Sequence, residues 1–418
     1  MSNNSQNDSS PMRAWTICIT AALGLFFIFF QMHAFNSLSS DLMKAFKINE
    51  SQLGIFSIIF LLSNGLSLIP VSFLIDKFSI KKAIVAGMVC SIISLVVFAS
   101  AQSIYIAGIA RALGGISQSF VFLGCLRLVA KWLEDHLALA NSVVITIGLF
   151  GAIAAQTPLT LLISAIGWRP ALLVIAGLTT LITVVILFVV KDKQSKKSKP
   201  EASSWSEVGG KLKEAFVFPQ NWLCAAYTTF LNLPIVVLGG LLGNIYLKGA
   251  ENLDAVQASS IITLLYAGSM IGGPIIGLLS DKMGQRRPLM FICPVLGIIV
   301  ILAISIISGL GNYQLAGLFF ALGLFSSSQA LAYPILTECN LTRLASISLG
   351  FACAVSTVMN SFLQSGLAAS LSSSFWKSLS INPFDQYRST MLLFAVIFLA
   401  GIIVTLFIRE TYCKIADQ

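Results

Sequence analysis

Ser72-Phe-Leu-Ile-Asp76-Lys77-Phe-Ser79-Ile-Lys81-Lys82 and Gly277-Leu-Leu-Ser-Asp281-Lys282-Met-Gly284-Gln-Arg286-Arg287 are two versions of one segment. They align without a gap over a shift of 205 residues, from 76 to 281. Asp76 pairs with Asp281, Lys77 with Lys282, Ser79 with Gly284, and Lys81-Lys82 with Arg286-Arg287. Each copy is a short polar turn between two long apolar runs. A repeat on this scale divides the 418 residues into two similar halves.

The runs around the turns set the class. Hydrophobic residues make up 56% of the chain and charged residues 10%, against about 25% charged in an average soluble domain. That excludes an ordinary soluble globule. Disorder is excluded too, because it needs low hydrophobicity and high net charge. At about 20 apolar residues per membrane span, twelve runs are long enough: 14–36, 52–75, 83–101, 104–128, 138–163, 170–190, 220–247, 258–280, 288–309, 312–336, 345–370 and 389–408. The expected fold is therefore an all-α membrane protein of twelve transmembrane helices in two six-helix, pseudo-symmetric halves. The domains expected are a tail at 1–13, a first bundle at 14–190, a basic linker at 191–219, a second bundle at 220–408 and a tail at 409–418. Within the linker, Trp205, Val208, Leu212 and Phe216 share one helical face, so 206–216 is expected to lie along the membrane as a short surface helix.

Charge sets the direction. The chain carries +9 net, but its basic residues sit in short loops and not on one wet face, which argues against nucleic acid as a partner. With the N-terminus inside, nineteen Lys and Arg fall on the inner side, six on the outer side, and one, Arg111, within a span. Because basic residues accumulate on the cytoplasmic side, both termini are expected there. The eight cysteines form no CxxC pair, so no metal site is expected and they read as small buried hydrophobes. The first run is too long for a signal-peptide core and no cleavage pattern follows it.

The doubled turn resembles the loop motif Gly-x-x-x-Asp-Arg/Lys-x-Gly-Arg/Lys-Arg/Lys of the major facilitator superfamily. The second copy fits with one extra residue, Gln285; the first has Ser72 for the leading glycine and Ser79 for the loop glycine. Arg111-Ala-Leu-Gly114-Gly115 is similar to the family's Arg-x-x-Gln-Gly motif, with Gly114 in the glutamine position. Helix five reads Gly148-Leu-Phe-Gly151-Ala-Ile-Ala-Ala-Gln156-Thr-Pro158, which departs from the family's exporter motif and looks more like uptake carriers of organic anions and amino acids. The end of helix four, Leu-Arg127-Leu-Val-Ala-Lys131-Trp132, is similar to the phagosomal amino-acid transporters of intracellular bacteria. The resemblance implies a major facilitator fold, alternating access, a bacterial inner-membrane location, a monomer and no cofactor. It also implies a conformational latch at the turns, made of Asp76, Lys77, Asp281, Lys282, Arg286 and Arg287 and joined by Glu338 and Arg127. A solvated, helix-capping aspartate is the plainer alternative for Asp76 and Asp281.

Arg111 is the single charge deep in a predicted span. It lies eight residues inward from Ser103, about 12 Å at 1.5 Å per residue. A charge at that depth is costly and usually functional. No Asp or Glu occurs inside any predicted span, so the counter-ion expected for Arg111 is the substrate's anionic group. The competing expectation is a structural arginine held by carbonyls and amides. Gln118 continues the same helical face. Further polar side chains that can line a central cavity are Gln31, His33, Asn36, Asn64, Gln156, Tyr227, Asn232, Tyr266, Gln329, Tyr333, Asn360 and Gln364; each can equally be interhelical glue. Pro234 and Gly239-Gly240 predict a bend in helix seven. Gly148, Gly151, Gly273 and Gly277 predict close helix packing. His33, the one histidine in a span, is the natural proton carrier near neutral pH, and the coupling ion stays open between proton and sodium.

These features point to a transporter of a small polar carboxylate-bearing solute, an amino acid first and another organic anion second, moving inward. An exporter of drugs or siderophores is the rival within the class. A non-transporting membrane sensor is the rival outside it, disfavoured because the longest polar stretch is the 191–219 linker. No nucleotide loop, metal cluster or nucleophile elbow marks an enzyme.

Overall fold

The computed structural model describes residues 11–77, 79–133, 137–192, 205–307, 309–340, 342–372 and 386–412. Among them, twelve helical segments are long and apolar enough to cross a membrane. The first four are α1 (Pro11–Phe46), α2 (Glu50–Lys77), α3 (Ile80–Ser100) and α4 (Ile104–Trp132). The fifth is broken into α5 (Leu137–Ala154) and α6 (Thr157–Ile166), and the sixth is α7 (Trp168–Val189). The linker carries α8 (Trp205–Val217), at the place the shared apolar face predicts.

The second half opens with a composite seventh span: α9 (Pro219–Pro234), a π-helical segment (Ile235–Leu242) and α10 (Gly243–Glu251). Then come α11 (Ala255–Met283), α12 (Arg287–Ile306) and a tenth span of α13 (Asn312–Ser326), a 3-10 turn (Ser327–Leu331) and α14 (Ala332–Cys339). The chain closes with α15 (Thr342–Ser372) and α16 (Gln386–Phe407).

Sequence accounts for the starts, stops and breaks. Ser79 and Ser103 accept backbone N–H bonds at the heads of α3 and α4, and Asp254 with Gln257 builds a capping box on α11. Gly284 ends α11 in the left-handed region, φ +63°, a conformation glycine adopts at no steric cost. Ser79, its counterpart in the first half, is extended and acts instead as the cap of α3. The break between α5 and α6 was not anticipated. Pro158 has no N–H for the Ala154 carbonyl and its ring would strike that carbonyl, so the helix ends at Ala154. Beside the break Ser37 Oγ donates to the Ala155 carbonyl at 2.8 Å and reaches the Gln156 carbonyl at 3.4 Å. Pro234 acts similarly: the bend expected in the seventh span takes the form of the π-helical segment that follows it.

The two halves meet along α2 and α15, and α1 lies against the π segment. Small residues let α2 and α15 approach: a Cβ on Gly54 would sit 2.5 Å from Ala368 Cβ, and one on Gly65 would sit 2.9 Å from Val358 Cγ2. Gly148 and Gly151 pack on Phe29 and Phe26 as expected. Gly273 and Gly277 do not: nothing lies within 4 Å of a Cβ at either. Gly268 and Gly272 make the close contact instead, against Phe320 and Leu324 of α13, because on a helix only one face meets a given neighbour.

The hydrogen bonds described between the halves share a location. They join Asn36 to Asn244, Ser40 to Lys248, His33 to Tyr266, Ser57 to Gln364, Gln156 to Gly239, and Thr157 to Ser260 and Thr263. All lie at mid-bundle or toward the end away from the chain termini. The halves are therefore sealed together at that end.

Candidate functional site

Arg111 sits one turn before Gly114-Gly115 on α4. A Cβ on Gly115 would lie 2.2 Å from the Phe60 carbonyl oxygen, so only glycine lets α2 come this close. That approach lays the Phe60 ring on one side of the guanidinium, Cζ to centroid 4.5 Å, while Phe35 of α1 covers it at 4.3 Å. Two aromatic faces partly offset the cost of burying the charge. Arg111 is only 6% exposed, its Nε has no hydrogen-bond partner, and among the described residues no carboxylate pairs with it. The guanidinium edge is what remains for another group.

Arg111 also lines a small cavity between the halves, with Met32, His33, Ser57, Phe60, Leu61, Val236, Gly240 and Gln364. The cavity's volume is about 10 Å³, room for about one water. Both halves contribute to the wall. His33 Nδ1 lies 2.6 Å from Tyr266 Oη, and Gln364 accepts from Ser57 Oγ at 3.1 Å while donating to the Val236 carbonyl at 2.9 Å. The π segment makes the first of these contacts possible: a Cβ on Gly239 would lie 2.4 Å from Tyr266 Oη.

The other expected site residues separate into groups. Gln31 is satisfied at both ends by Ser94 and Ser91 of α3, and Asn64 by Ser119 and the Gly115 carbonyl. Asn36 and Gln156 bond to each other at 2.9 Å and reach across to Asn244 and Gly239, so they join the halves. Gln118 donates to Met32 Sδ at 3.3 Å and leaves its Oε1 unpartnered. In the second half Tyr227 bonds to the Met290 carbonyl and Ser328. Gln329 donates to Asn232 at 3.0 Å and Asn360 to Ser356 at 3.5 Å. The buried oxygens Gln329 Oε1 and Asn360 Oδ1 have no partner. Of the expected residues, the cavity gathers Arg111, His33 and Gln364, with Tyr266 directly behind His33.

A second polar cluster stands at the terminal end of the second half. Arg286 Nε donates to Glu338 at 2.9 Å and its Nη2 also reaches that carboxylate, while Nη1 lies 3.5 Å from Asp281. Glu338 also accepts from Thr411 Oγ1. Glu410 accepts the backbone N–H groups of Arg286, Arg287, Thr411 and Tyr412. Burial pushes the Glu410 carboxyl up, but these four bonds outweigh it and hold its pKa below the ordinary value. Arg287 Nη2 donates to the Leu406 carbonyl, and Lys282 is exposed. In the first half Arg127 Nη2 donates to Ser72 Oγ at 2.9 Å. The side chains of Asp76 and Lys77 lie outside the described residues. A groove of about 470 Å³ lined by Arg287, Phe291, Leu406 and Glu410 opens on the protein surface at this same end, apart from the central cavity.

A family model described as Major Facilitator Superfamily matches residues 21–361. The chain belongs to the major facilitator superfamily. It is thus a multi-pass membrane protein of a transporter family and not an enzyme. Among curated members, the Membrane sensor protein UhpC of Salmonella typhimurium is 22% identical over 361 residues, 80% of each chain. The Probable sulfoacetate transporter SauU of Cupriavidus necator is 23% identical over 251 residues, 57% of this chain and 58% of that one. The Drug efflux pump JefA of Mycobacterium tuberculosis is 23% identical over 48% of this chain. The solved inward-facing, unoccupied structure of a bacterial homologue of the lysosomal transporter Spinster superposes with TM-score 0.77 at 14% identity, covering 96% of this chain and 97% of that one.

On the major facilitator fold, the two loop-motif copies end the second and eighth spans. An acidic residue absent from the motif completes each turn. Asp192, just past α7, accepts from Ser79 Oγ and from the Lys81 N–H, as Glu410 does from the aligned Arg286. Sequence reasoning missed this pair. It also missed Ser57, Met32, Phe35 and Phe60, which carry no signal that sets them apart from other span residues.

Proposed function

We propose that this superfamily member is a secondary transporter that carries a small carboxylate-bearing solute, an amino acid or another organic anion, inward by alternating access. The carrying observation is Arg111: a buried guanidinium with no carboxylate partner among the described residues and an unpartnered Nε, lining a cavity walled by both halves. A buried charge in this position needs an acceptor, and a solute carboxylate supplies one in bidentate geometry. The relative named a probable sulfoacetate transporter is, by that name, also an anion carrier.

The positive-inside count puts the termini in the cytoplasm, so the sealed end of the bundle faces outward. Since the cavity holds about one water, a solute enters only when the halves part. Ser57–Gln364 and His33–Tyr266 are the contacts at the cavity wall that must then break. Asp281, Lys282, Arg286, Arg287, Glu338, Arg127 and the first-half pair Asp76 and Lys77 act as the latch that balances the two states. The cell membrane, the inner one in a bacterium, is the proposed location.

The name of the UhpC relatives favours a second reading, a sensor that binds the same solute without turning it over. Purified protein in proteoliposomes, loaded with labelled succinate, L-glutamate or sulfoacetate outside, distinguishes the readings. Accumulation inside supports transport. Binding without accumulation supports the sensor, and accumulation only from the opposite side supports an exporter.

A further inference from the structure

His33 and Arg111 line the same cavity of about 10 Å³. Two groups that can each be cationic therefore face one small space. The charged and titratable neighbours of His33 are few. Tyr266 of α11 touches its Nδ1 at 2.6 Å, and Arg111 of α4 stands across the cavity. The other charges on α1 and the elements packed against it stand toward helix ends: Arg13, Asp41 and Lys44 on α1, Glu50, Asp76 and Lys77 on α2, Lys81 and Lys82 on α3, Arg127 and Lys131 on α4, Arg169 on α7, Lys248 and Glu251 on α10, and Asp281 and Lys282 on α11. Lys248 reaches Ser40, seven residues along α1 from His33 and so about 10 Å away. Among the described residues no carboxylate bonds to His33 or Arg111, and Asp41, the acid on the same helix as His33, is eight residues and so about 12 Å away.

We propose that an anion docked on Arg111 draws a proton onto His33, so that the cavity takes up a carboxylate and a proton together. The proposal rests on the reading of Arg111 given above. With the cavity empty, a protonated His33 beside Arg111 would be a second uncompensated buried cation, and the ring stays neutral. A carboxylate brings two oxygens with about four acceptor sites. The Phe35 and Phe60 faces leave it the guanidinium edge, and because His33 lines the same cavity as Arg111, the remaining acceptors of a carboxylate admitted there face the His33 ring. A unit negative charge about 5 Å away raises the ring's proton affinity on the order of a hundredfold at an effective dielectric near 20. The proton comes from bulk water.

The same proton alters the contact between the halves. A bare Nδ1 accepts from the Tyr266 hydroxyl; once protonated it donates to the Tyr266 oxygen instead, and the hydroxyl hydrogen must turn away. Loading the site therefore changes a bond that holds α1 to α11, which ties occupancy to the separation of the halves.

Isothermal titration calorimetry on the full-length protein tests this, with succinate, L-glutamate and sulfoacetate as probes in buffers of different ionisation enthalpy near pH 6.5. The expected result is uptake of close to one proton per anion bound. It should be unchanged in His136→Gln, at the other of the chain's two histidines, and absent in His33→Gln, whose affinity no longer rises as pH falls. A purely structural His33 would lower thermal stability but leave the proton count intact. Wild-type anion binding with no proton uptake overturns the proposal and leaves the Arg111 site standing. Proton uptake that persists in His33→Gln or disappears in His136→Gln overturns it as well. If none of the three anions binds, the Arg111 reading fails and this inference fails with it.

Discussion

The carboxylate of Glu410 accepts the backbone N–H of Arg286 at 3.1 and 3.2 Å through its two oxygens. Asp192 takes the N–H of Lys81, the aligned residue of the first half, at 3.1 Å. An acid placed just after the last span of each half thus caps the third span of that half, where unpaired N–H groups and the helix dipole favour a negative charge. Glu410→Gln should lower stability by about 1–2 kcal/mol, read as a fall in the apparent melting temperature in detergent. Asp192 is exposed, and Asp192→Asn should cost less. Equal melting temperatures for wild type and Glu410→Gln would contradict the capping role.

The Glu410 cap also predicts a pH dependence. Its carboxyl is held below the ordinary value of 4.5, burial acting upward and the four backbone bonds more strongly downward. A depressed folded-state pKa contributes stability that is complete above the unfolded value and is lost as pH falls through the folded one. Wild-type protein should therefore lose melting temperature below about pH 4.5 more steeply than Glu410→Gln. Parallel curves would remove Glu410 as the source.

Glu338 and Asp281 both face Arg286 but should behave differently. Glu338 is buried and binds two guanidinium nitrogens, so Glu338→Gln leaves a buried cation short of its partner, a loss of about 3–5 kcal/mol. Asp281 is 66% exposed at its side chain and 3.5 Å away, so Asp281→Asn should change stability by less than about 0.5 kcal/mol while impairing uptake. Near-normal uptake by a folded Asp281→Asn protein would remove it from the latch.

How much of this was legible in the sequence depends on where each signal sits. Apolar runs, loop charge and the doubled Asp-Lys turn are local patterns, and they mark all twelve spans and the pseudo-symmetry. Arg111 was legible because a charge at that depth is exceptional. Its neighbours were not: Phe35 and Phe60 are two of 29 phenylalanines, and only the packing of α1 and of α2 on α4 selects them. Gln31, Asn36 and Gln156 carry the same amide chemistry as Gln364, yet of the four only Gln364 lines the cavity; the first three bond to partners 60 to 208 residues away in sequence, which no periodicity encodes. The acids Asp192 and Glu410 escaped notice for another reason. They stand 218 residues apart, from 192 to 410, while the turns they cap are offset by 205, so a gap hides their equivalence.

Orientation rests on the nineteen-to-six distribution of basic residues. Cysteines introduced at Lys197→Cys and Gln418→Cys in a background without reactive native thiols should be labelled only from the cytoplasmic side. Labelling of either in intact cells by an impermeant reagent would invert the proposed direction of sealing.

Affinity of folded Arg111→Ala for succinate, L-glutamate and sulfoacetate, measured beside wild type and beside the uncharged amide of each anion, tests Arg111 as the docking point most directly. Loss of a charge-assisted contact in a desolvated site costs about 2–5 kcal/mol, some 30-fold to several thousand-fold in affinity. The expected result is a loss in that range for Arg111→Ala, poor recovery in Arg111→Lys, which lacks the bidentate fork, and equally weak binding of the amides by wild type. Unchanged anion affinity in a folded Arg111→Ala protein, with amides bound as well as acids, would contradict it.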